Sequence, residues 1–309
     1  MNYFYGPVPS RRLGFSLGVD LIPKKTCSFD CLYCQLGHSD KKFIRRSFFI
    51  DLVKFKKELK TAIADHPKID YITISGSGEP TLHKDLDKII AAIRRVSKNK
   101  YPVCVITNSS LLYRKDVRKE LQGADLIVPS LDAATAKIFK RINRPIKGIT
   151  FKKTVSGLIK FRKEFKGEIW LEIMLVGGVN DKISEAKKFK KLIEKIKPEK
   201  VQLNLPIRPS GVKLSLPSPK KVRKIRKIIC EDVEIVSSFS ARRKLTKTSK
   251  DLRKKILHFL RVRPASLKDL TQSFGVNPNE IIKGLGFLLD EGRIKERMHK
   301  KNKYFIIND

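Results

Sequence analysis

No stretch of this 309-residue sequence approaches the ~18 uncharged apolar residues that a membrane-spanning helix requires, so no membrane partner is expected. The opening MNYFYGPVPSRR has no basic-then-apolar leader pattern, which points to a cytoplasmic protein. Cysteine is scarce, at five residues, and without a leader those five argue against a disulfide framework. Acid is short as well: 31 Asp and Glu stand against 68 Lys and Arg, for a formal net charge of +37. Such a surplus implies attraction to a polyanion, nucleic acid first. A lysine-rich proteome with solvated basic faces would give the same count. No internal repeat of solenoid or propeller period is present.

What is there begins with β-branched runs, each followed by a charged, helix-like stretch. They are SLGVDLI (16–22), DYITIS (70–75), PVCVIT (102–107), ADLIVPSL (124–131), EIWLEIMLV (168–176) and KVQLNL (200–205). Between the first two, Leu52, Phe55, Leu59 and Ile63 fall at helical spacing. Alternation at this interval predicts right-handed βαβ units, a parallel sheet, and chemistry in the loops after the strands' carboxyl ends. Six units suggest a partial (β/α)6 barrel over residues 1–240. RPSGVKLSLPSPKK (208–221) marks its end, followed by a last helix and the short strand VEIVSSF. From residue 241 the character changes, with ten basic residues and one acid between 241 and 263. Residues 241–309 read as three helices and a hairpin with its tip at His299 to Asn302. Ser266 and Asp269 start the second helix as a capping box, and Asn277 with Pro278 starts the third. The order resembles a winged helix-turn-helix module.

Three of the five cysteines sit within KKTCSFDCLYCQLGHSD (24–40), spaced C-x3-C-x2-C as Cys27, Cys31 and Cys34. Thiolates are soft ligands that suit zinc or an iron–sulfur cluster. His38 would complete a tetrahedral zinc site, but a structural zinc knuckle normally brings a second ligand pair, which is missing. A cluster held by three cysteines leaves one iron open to an exogenous ligand. Cys104 and Cys230 lie alone in apolar surroundings and read as core or helix-end residues.

The cysteine spacing resembles that of the radical S-adenosylmethionine (radical SAM) superfamily, and the likeness runs over roughly residues 5–236. ISGSGEPTLH (74–83) matches the family's Gly-Gly-Glu-Pro type motif, and ITNSS, PSLDA, MLVGGVND and QLNLPIRPS follow the later strands in order. The resemblance implies a [4Fe–4S] cluster on Cys27, Cys31 and Cys34, with S-adenosylmethionine on the open iron. It implies one-electron cleavage of that sulfonium to a 5′-deoxyadenosyl radical, and a flavodoxin or ferredoxin-type electron donor. Tyr33 would lie beside the adenine, Gly76 and Gly78 would let backbone approach the methionine moiety, and Glu79 would accept from its ammonium. Asn108, Ser130 and Asp132 would meet the ribose hydroxyls, with a cap on a helix from Ala133 as the alternative for Asp132. Val176 and Leu205 are placed for apolar contact with adenine or as plain core. Asn180 reads as a turn residue, and Arg208 as the partner of an acid or a phosphate.

With no second cysteine cluster, an auxiliary cluster with full cysteine ligation is excluded, and no cobalamin-binding glycine signature precedes the triad. GPVPSRRLGFSLGVDLIPKKTCSFDCLYCQLG resembles the branch related to the tRNA-acting wyosine synthases, although their extra N-terminal cysteines are missing. The first expectation is an enzyme acting on nucleic acid, with tRNA or other RNA ahead of DNA, gripped through its phosphates by the basic C-terminal module. The alternatives are an activase of a glycyl-radical protein and a SAM- or redox-responsive DNA-binding regulator.

Overall fold

A computed structural model describes residues 3–10, 12–39, 42–65, 68–229, 233–236, 252–300 and 302–308. The chain opens with an antiparallel pair, β1 (Phe4–Ser10) and β2 (Gly14–Val19). Then follow α1 (Leu52–Ala64), β3 (Tyr71–Ile74), a 3-10 turn (Pro80–Leu82), α2 (Leu86–Ser97) and β4 (Val103–Thr107). Next come α3 (Lys115–Glu120), β5 (Leu126–Pro129), α4 (Ala136–Ile142), α5 (Phe151–Glu164), β6 (Glu168–Met174), α6 (Ile183–Ile196) and β7 (Lys200–Asn204). The series closes with α7 (Pro219–Ile229) and β8 (Glu234–Ile235). These eight strands form one sheet in sequence order, parallel from β2 to β8. This is the α/β architecture expected. No described helix is long and apolar enough to cross a membrane.

The sequence reading did not include β1. FYGPVPS carries two prolines, and a proline is tolerated only where no ladder donor is required, as on an edge strand with a register shift, here between Tyr5 and Val8.

Alternation along the parallel strands assigns each residue a face. Leu17, Val19, Ile72, Ile74, Val103, Val105, Ile127, Ile169, Leu171, Ile173, Val201 and Leu203 point one way, into one core with Phe55, Phe161 and Phe189 of the helices. The other face has its own smaller apolar cluster, with Leu13, Cys104, Leu126, Val128 and Trp170, and also bears Ser16, Thr73, Glu172, Gln202 and Asn204. Helix starts follow local rules: Asp51, Thr135 and Thr150 each cap a helix by accepting from backbone N–H groups of its first turn.

Beyond residue 251 lie α8 (Leu252–Val262), α9 (Leu267–Phe274), α10 (Pro278–Asp290), and an antiparallel hairpin of β9 (Ile294–His299) and β10 (Asn302–Ile307). The Ser266–Asp269 capping box and the Asn277 cap are both present. Gly284 of α10 is buried against α8, where a Cβ would stand 3.0 Å from Ile256 Cδ1. Tyr5 and Val8 of β1 share one apolar cluster with Ile256, Phe259, Leu260 and Leu285 of this unit. The expected domain boundary at 240/241, the basic segment to residue 251 and Cys230 lie outside the described residues.

Candidate active site

The cysteine loop leaves the carboxyl end of β2 and is pinned by backbone bonds from several elements. Lys25 N–H donates to Ser77 O (2.8 Å), Glu79 N–H to Thr26 O (3.0 Å), Asp30 N–H to Asn143 O (3.0 Å) and Leu32 N–H to Ile142 O (2.9 Å). A Cβ on Gly76, whose φ is +139°, would lie 2.4 Å from Asp20 Oδ1. A Cβ on Gly78 would lie 2.3 Å from Thr26 O. The two glycines therefore let the loop after β3 pack closely on the cysteine loop and on Asp20.

All three thiols are free and half-buried. Burial pushes Cys27 up to about 12, with the Glu79 carboxylate adding to the rise. Burial raises Cys31 and Cys34 as well. Protonated, buried thiols of this kind give up their protons to a bound cationic centre. N–H donors already face the sulfurs. Asn108 Nδ2 donates to Cys27 Sγ at 3.3 Å, Phe29 N–H to the same sulfur at 3.5 Å, and Asn143 Nδ2 to Cys31 Sγ at 3.5 Å. Among the described residues no three Cys, His, Asp or Glu converge closely enough to hold a single ion. His38, the fourth ligand a zinc would need, pairs with Asp30 at 2.7 Å. Three thiols with amide donors, and no fourth protein ligand, fit a multi-iron cluster better than zinc.

Two buried carboxylates organise the loops around the cysteines. Glu79 is 2% exposed and spends its oxygens on Thr81 N–H (3.1 Å), Thr81 Oγ1 (2.6 Å), Thr107 Oγ1 (2.6 Å) and Asn108 N–H (2.7 Å). It ties the loops after β3 and β4 together. Asp132 accepts from the Tyr33 hydroxyl, from Asn143 Nδ2 (2.8 Å) and from Met174 N–H (2.9 Å). It caps no helix, since α4 starts three residues later than Ala133 and is capped by Thr135. Burial raises Asp132 to about 6 against these donors.

Cys27, Asn108 and Glu79 thus form one chain of contacts, and Cys31, Asn143, Asp132 and Tyr33 another. Ser130 stands just outside, half-buried, its carbonyl accepting from Ser109 Oγ at 2.8 Å. Val176 is fully buried core, its N–H donating to Asn180 Oδ1 at 2.8 Å, and Leu205 packs half-buried at the edge of the same core. Neither lines the cavity beside the cysteine loop. Asn180 also donates to Asp132 O (2.8 Å) and Met174 O (2.7 Å), fixing the turn after β6.

That cavity, of about 360 Å³, lies on the face of the sheet turned away from α1, α5 and α6. Tyr33, Cys34 and Gly76 line it on one side, Arg12, Glu172 and Asn204 on another, and Val262 and Arg263 of the C-terminal unit on a third. Arg208 holds that last wall in place. Its guanidinium donates to both oxygens of Asp269 (3.2 Å each) and to Pro264 O (2.9 Å). Burial alone would raise Asp269, but Arg208 and then Arg263 hold it down at about 2. Sequence reasoning missed Asn143, Arg12, Glu172 and Asn204. Asn204 was signalled by the polar residues at every second position of β7, and Glu172 by a charge between the apolar neighbours Leu171 and Ile173.

Residues 21–205 match the family model of the radical SAM superfamily. The chain belongs to that superfamily, a class of enzymes built on the sheet and cysteine loop just described. Among proteins of known sequence it is similar to a UPF0026 protein of Methanocaldococcus jannaschii, 39% identical over 76% of this chain and 73% of that one. It is also 40% identical, over 95% of its length, to a Brachyspira hyodysenteriae protein named GTPase Obg, but spans only 43% of that protein. A Thermotoga neapolitana protein named as a probable dual-specificity RNA methyltransferase RlmN is 27% identical over 67% of this chain and 59% of that one. A radical SAM methyltransferase from Sphaerobacter thermophilus shares the fold, with a TM-score of 0.52 at 14% identity over 71% of this chain and 65% of that one.

Proposed function

We propose that the chain is a radical SAM enzyme that modifies RNA, with tRNA as the favoured substrate. When bound, a [4Fe–4S] cluster and S-adenosylmethionine would supply a 5′-deoxyadenosyl radical from one electron delivered by a flavodoxin or ferredoxin-type donor. Cys27, Cys31 and Cys34 would hold the cluster. Asn108 and Asn143 position two of those sulfurs and donate to them, and such donors help set a cluster's potential. Glu79 and Asp132 lock the two asparagines in place. Tyr33, fixed through its hydroxyl, presents its ring to the cavity where an adenine would lie.

The observation that carries the RNA reading is the shared cavity. One wall comes from the cysteine loop and another from a basic C-terminal unit, within a chain of net charge +37. We read residues 1–240 as a partial (β/α)6 barrel and 241–309 as a winged helix-turn-helix domain that grips phosphates. The similarity to a protein named as an RNA methyltransferase supports the same class of substrate. The outer side of α10 exposes Asn279, Ile282, Lys283 and Phe287 and no arginine, a poor surface for reading guanine in a DNA groove. RNA is therefore favoured over a DNA-binding regulator, and the protein is expected in the cytoplasm.

The test is mass spectrometry of tRNA nucleosides from cells with and without the gene. A nucleoside missing from the deletion strain and restored by purified, reduced protein with S-adenosylmethionine is the expected result. Identical nucleoside profiles, with no tRNA gel shift at low salt, would overturn the reading.

A further inference from the structure

Glu172, in the middle of β6, and Arg12, in the turn between β1 and β2, form an ion pair beside this cavity, each side chain only 11% exposed. Arg12 precedes β2 and the cysteine loop follows it, so Arg12 reaches the cavity from the end opposite the thiols. The pair is incompletely satisfied. Arg12 Nη2 donates to Glu172 Oε2, and Asn204 Nδ2 donates to the same oxygen at 3.2 Å. Arg12 Nη1 is buried with no hydrogen-bond partner among the described residues. Nor does Glu172 Oε1 accept from any described residue. A buried guanidinium N–H left unmade is costly, so natural chains keep one mainly where something else completes it.

The surroundings narrow what that something is. An anion alone would meet the Glu172 carboxylate, and a cation alone would meet the Arg12 guanidinium. A neutral group that carries an acceptor beside a donor satisfies both. Tyr5 lines the same cavity with its hydroxyl already engaged by Ser75 Oγ at 3.0 Å, so ring carbons are what it has left for a ligand. Leu13, Ile106 and Met174 add apolar lining beside Ser16, Thr73 and Ser75. Flat, uncharged, edged by a donor and an acceptor, and packed on an aromatic ring is the description of a nucleobase.

We propose that Arg12 and Glu172, braced by Asn204, form the recognition site for the edge of a nucleobase drawn out of its stack into this cavity. The inference rests on the RNA reading above and names the part of the substrate that the cavity takes. Arg263, on the C-terminal wall, puts a positive charge beside the route by which the attached phosphates would pass.

The full chain is titrated calorimetrically with AMP, GMP, CMP and UMP, and with ribose 5-phosphate as the base-less control. At least one nucleotide binds about tenfold or more tighter than ribose 5-phosphate. The double variant Arg12→Met/Glu172→Met removes both charges together, so neither is left buried alone, and it closes most of that gap while still unfolding cooperatively. Glu172→Gln, which exchanges an acceptor for a donor, reorders the four bases. The proposal is overturned if ribose 5-phosphate binds as tightly as the nucleotides, if the folded double variant keeps the gap, or if N-acetylglycinamide, a peptide amide, outcompetes every nucleotide. Should the double variant not fold, an unchanged base order in Glu172→Gln overturns it alone. A steep, salt-dependent tRNA gel shift without a base gap removes the base site and leaves the RNA reading standing. A base gap without any tRNA shift does the reverse.

Discussion

On the helix-covered face of the sheet, Leu17, Ile72, Val105, Ile127, Ile173 and Leu203 are buried aliphatics locked against Phe55, Phe161 and Phe189. One residue along the same strands, on the other face, stand Ser16, Thr73, Ile106, Val128, Glu172 and Asn204. The two faces obey different constraints. The first is almost wholly aliphatic and aromatic carbon, and its worth is measured in area removed from water. The second keeps an ion pair, an amide and a cavity where more aliphatic packing would have been more stable. A chain that forgoes packing on one face of the same strands is reserving that face for a ligand.

The sharpest way to break this contrast is at the cysteines. Cys31→Ala is expected to reduce S-adenosylmethionine cleavage by the reconstituted, reduced protein to background, with 5′-deoxyadenosine as the readout, while the metal-free protein unfolds at nearly the wild-type temperature. Persistent cleavage would refute the cluster assignment. Next in size is Phe189→Ala on the fully buried opposite face, expected to cost about 3–5 kcal/mol in denaturant titration. If it instead spared stability and abolished cleavage, the division between faces would fail.

The Arg208–Asp269 link gives a middle-sized effect with a pH signature. Asp269 is held at about 2 when folded, below its ordinary 3.8. The link therefore contributes fully above about pH 4 and is lost as pH falls toward 2. The size is about 2 kcal/mol, from 1.36 kcal/mol per pKa unit. Asp269→Asn should lack that part of the acid unfolding profile. Smallest is Thr150→Ala, which removes the α5 cap and is expected to cost about 1 kcal/mol with no effect on cleavage.

Much of this was legible in advance. The expected strands at 70–75, 102–107, 168–176 and 200–205 overlap β3, β4, β6 and β7, because β-branched runs bounded by turn residues have few other uses. The cysteine loop was legible because its ligands are local. The partners of Glu79 and Asp132 were not. Thr107 lies 28 residues from Glu79, and Tyr33 lies 99 from Asp132, so only the folded sheet brings them together. Strand β1 was hidden by its prolines. Glu172 was visible as the second of two acids in EIWLEIM, yet its meaning depended on Arg12, which is 160 residues away.

The fork of Arg208 on Asp269 and Pro264 has a consequence for how the two halves of the molecule communicate. Val262 ends α8, Arg263 follows it, and both are part of the cavity's enclosure, so the volume available within depends on how the C-terminal helices are seated. Any macromolecule that shifts that seating also changes the fit of whatever lies inside, and by reciprocity a well-fitting occupant steadies the seating. Grip at the periphery and selection at the centre are then two readings of a single equilibrium.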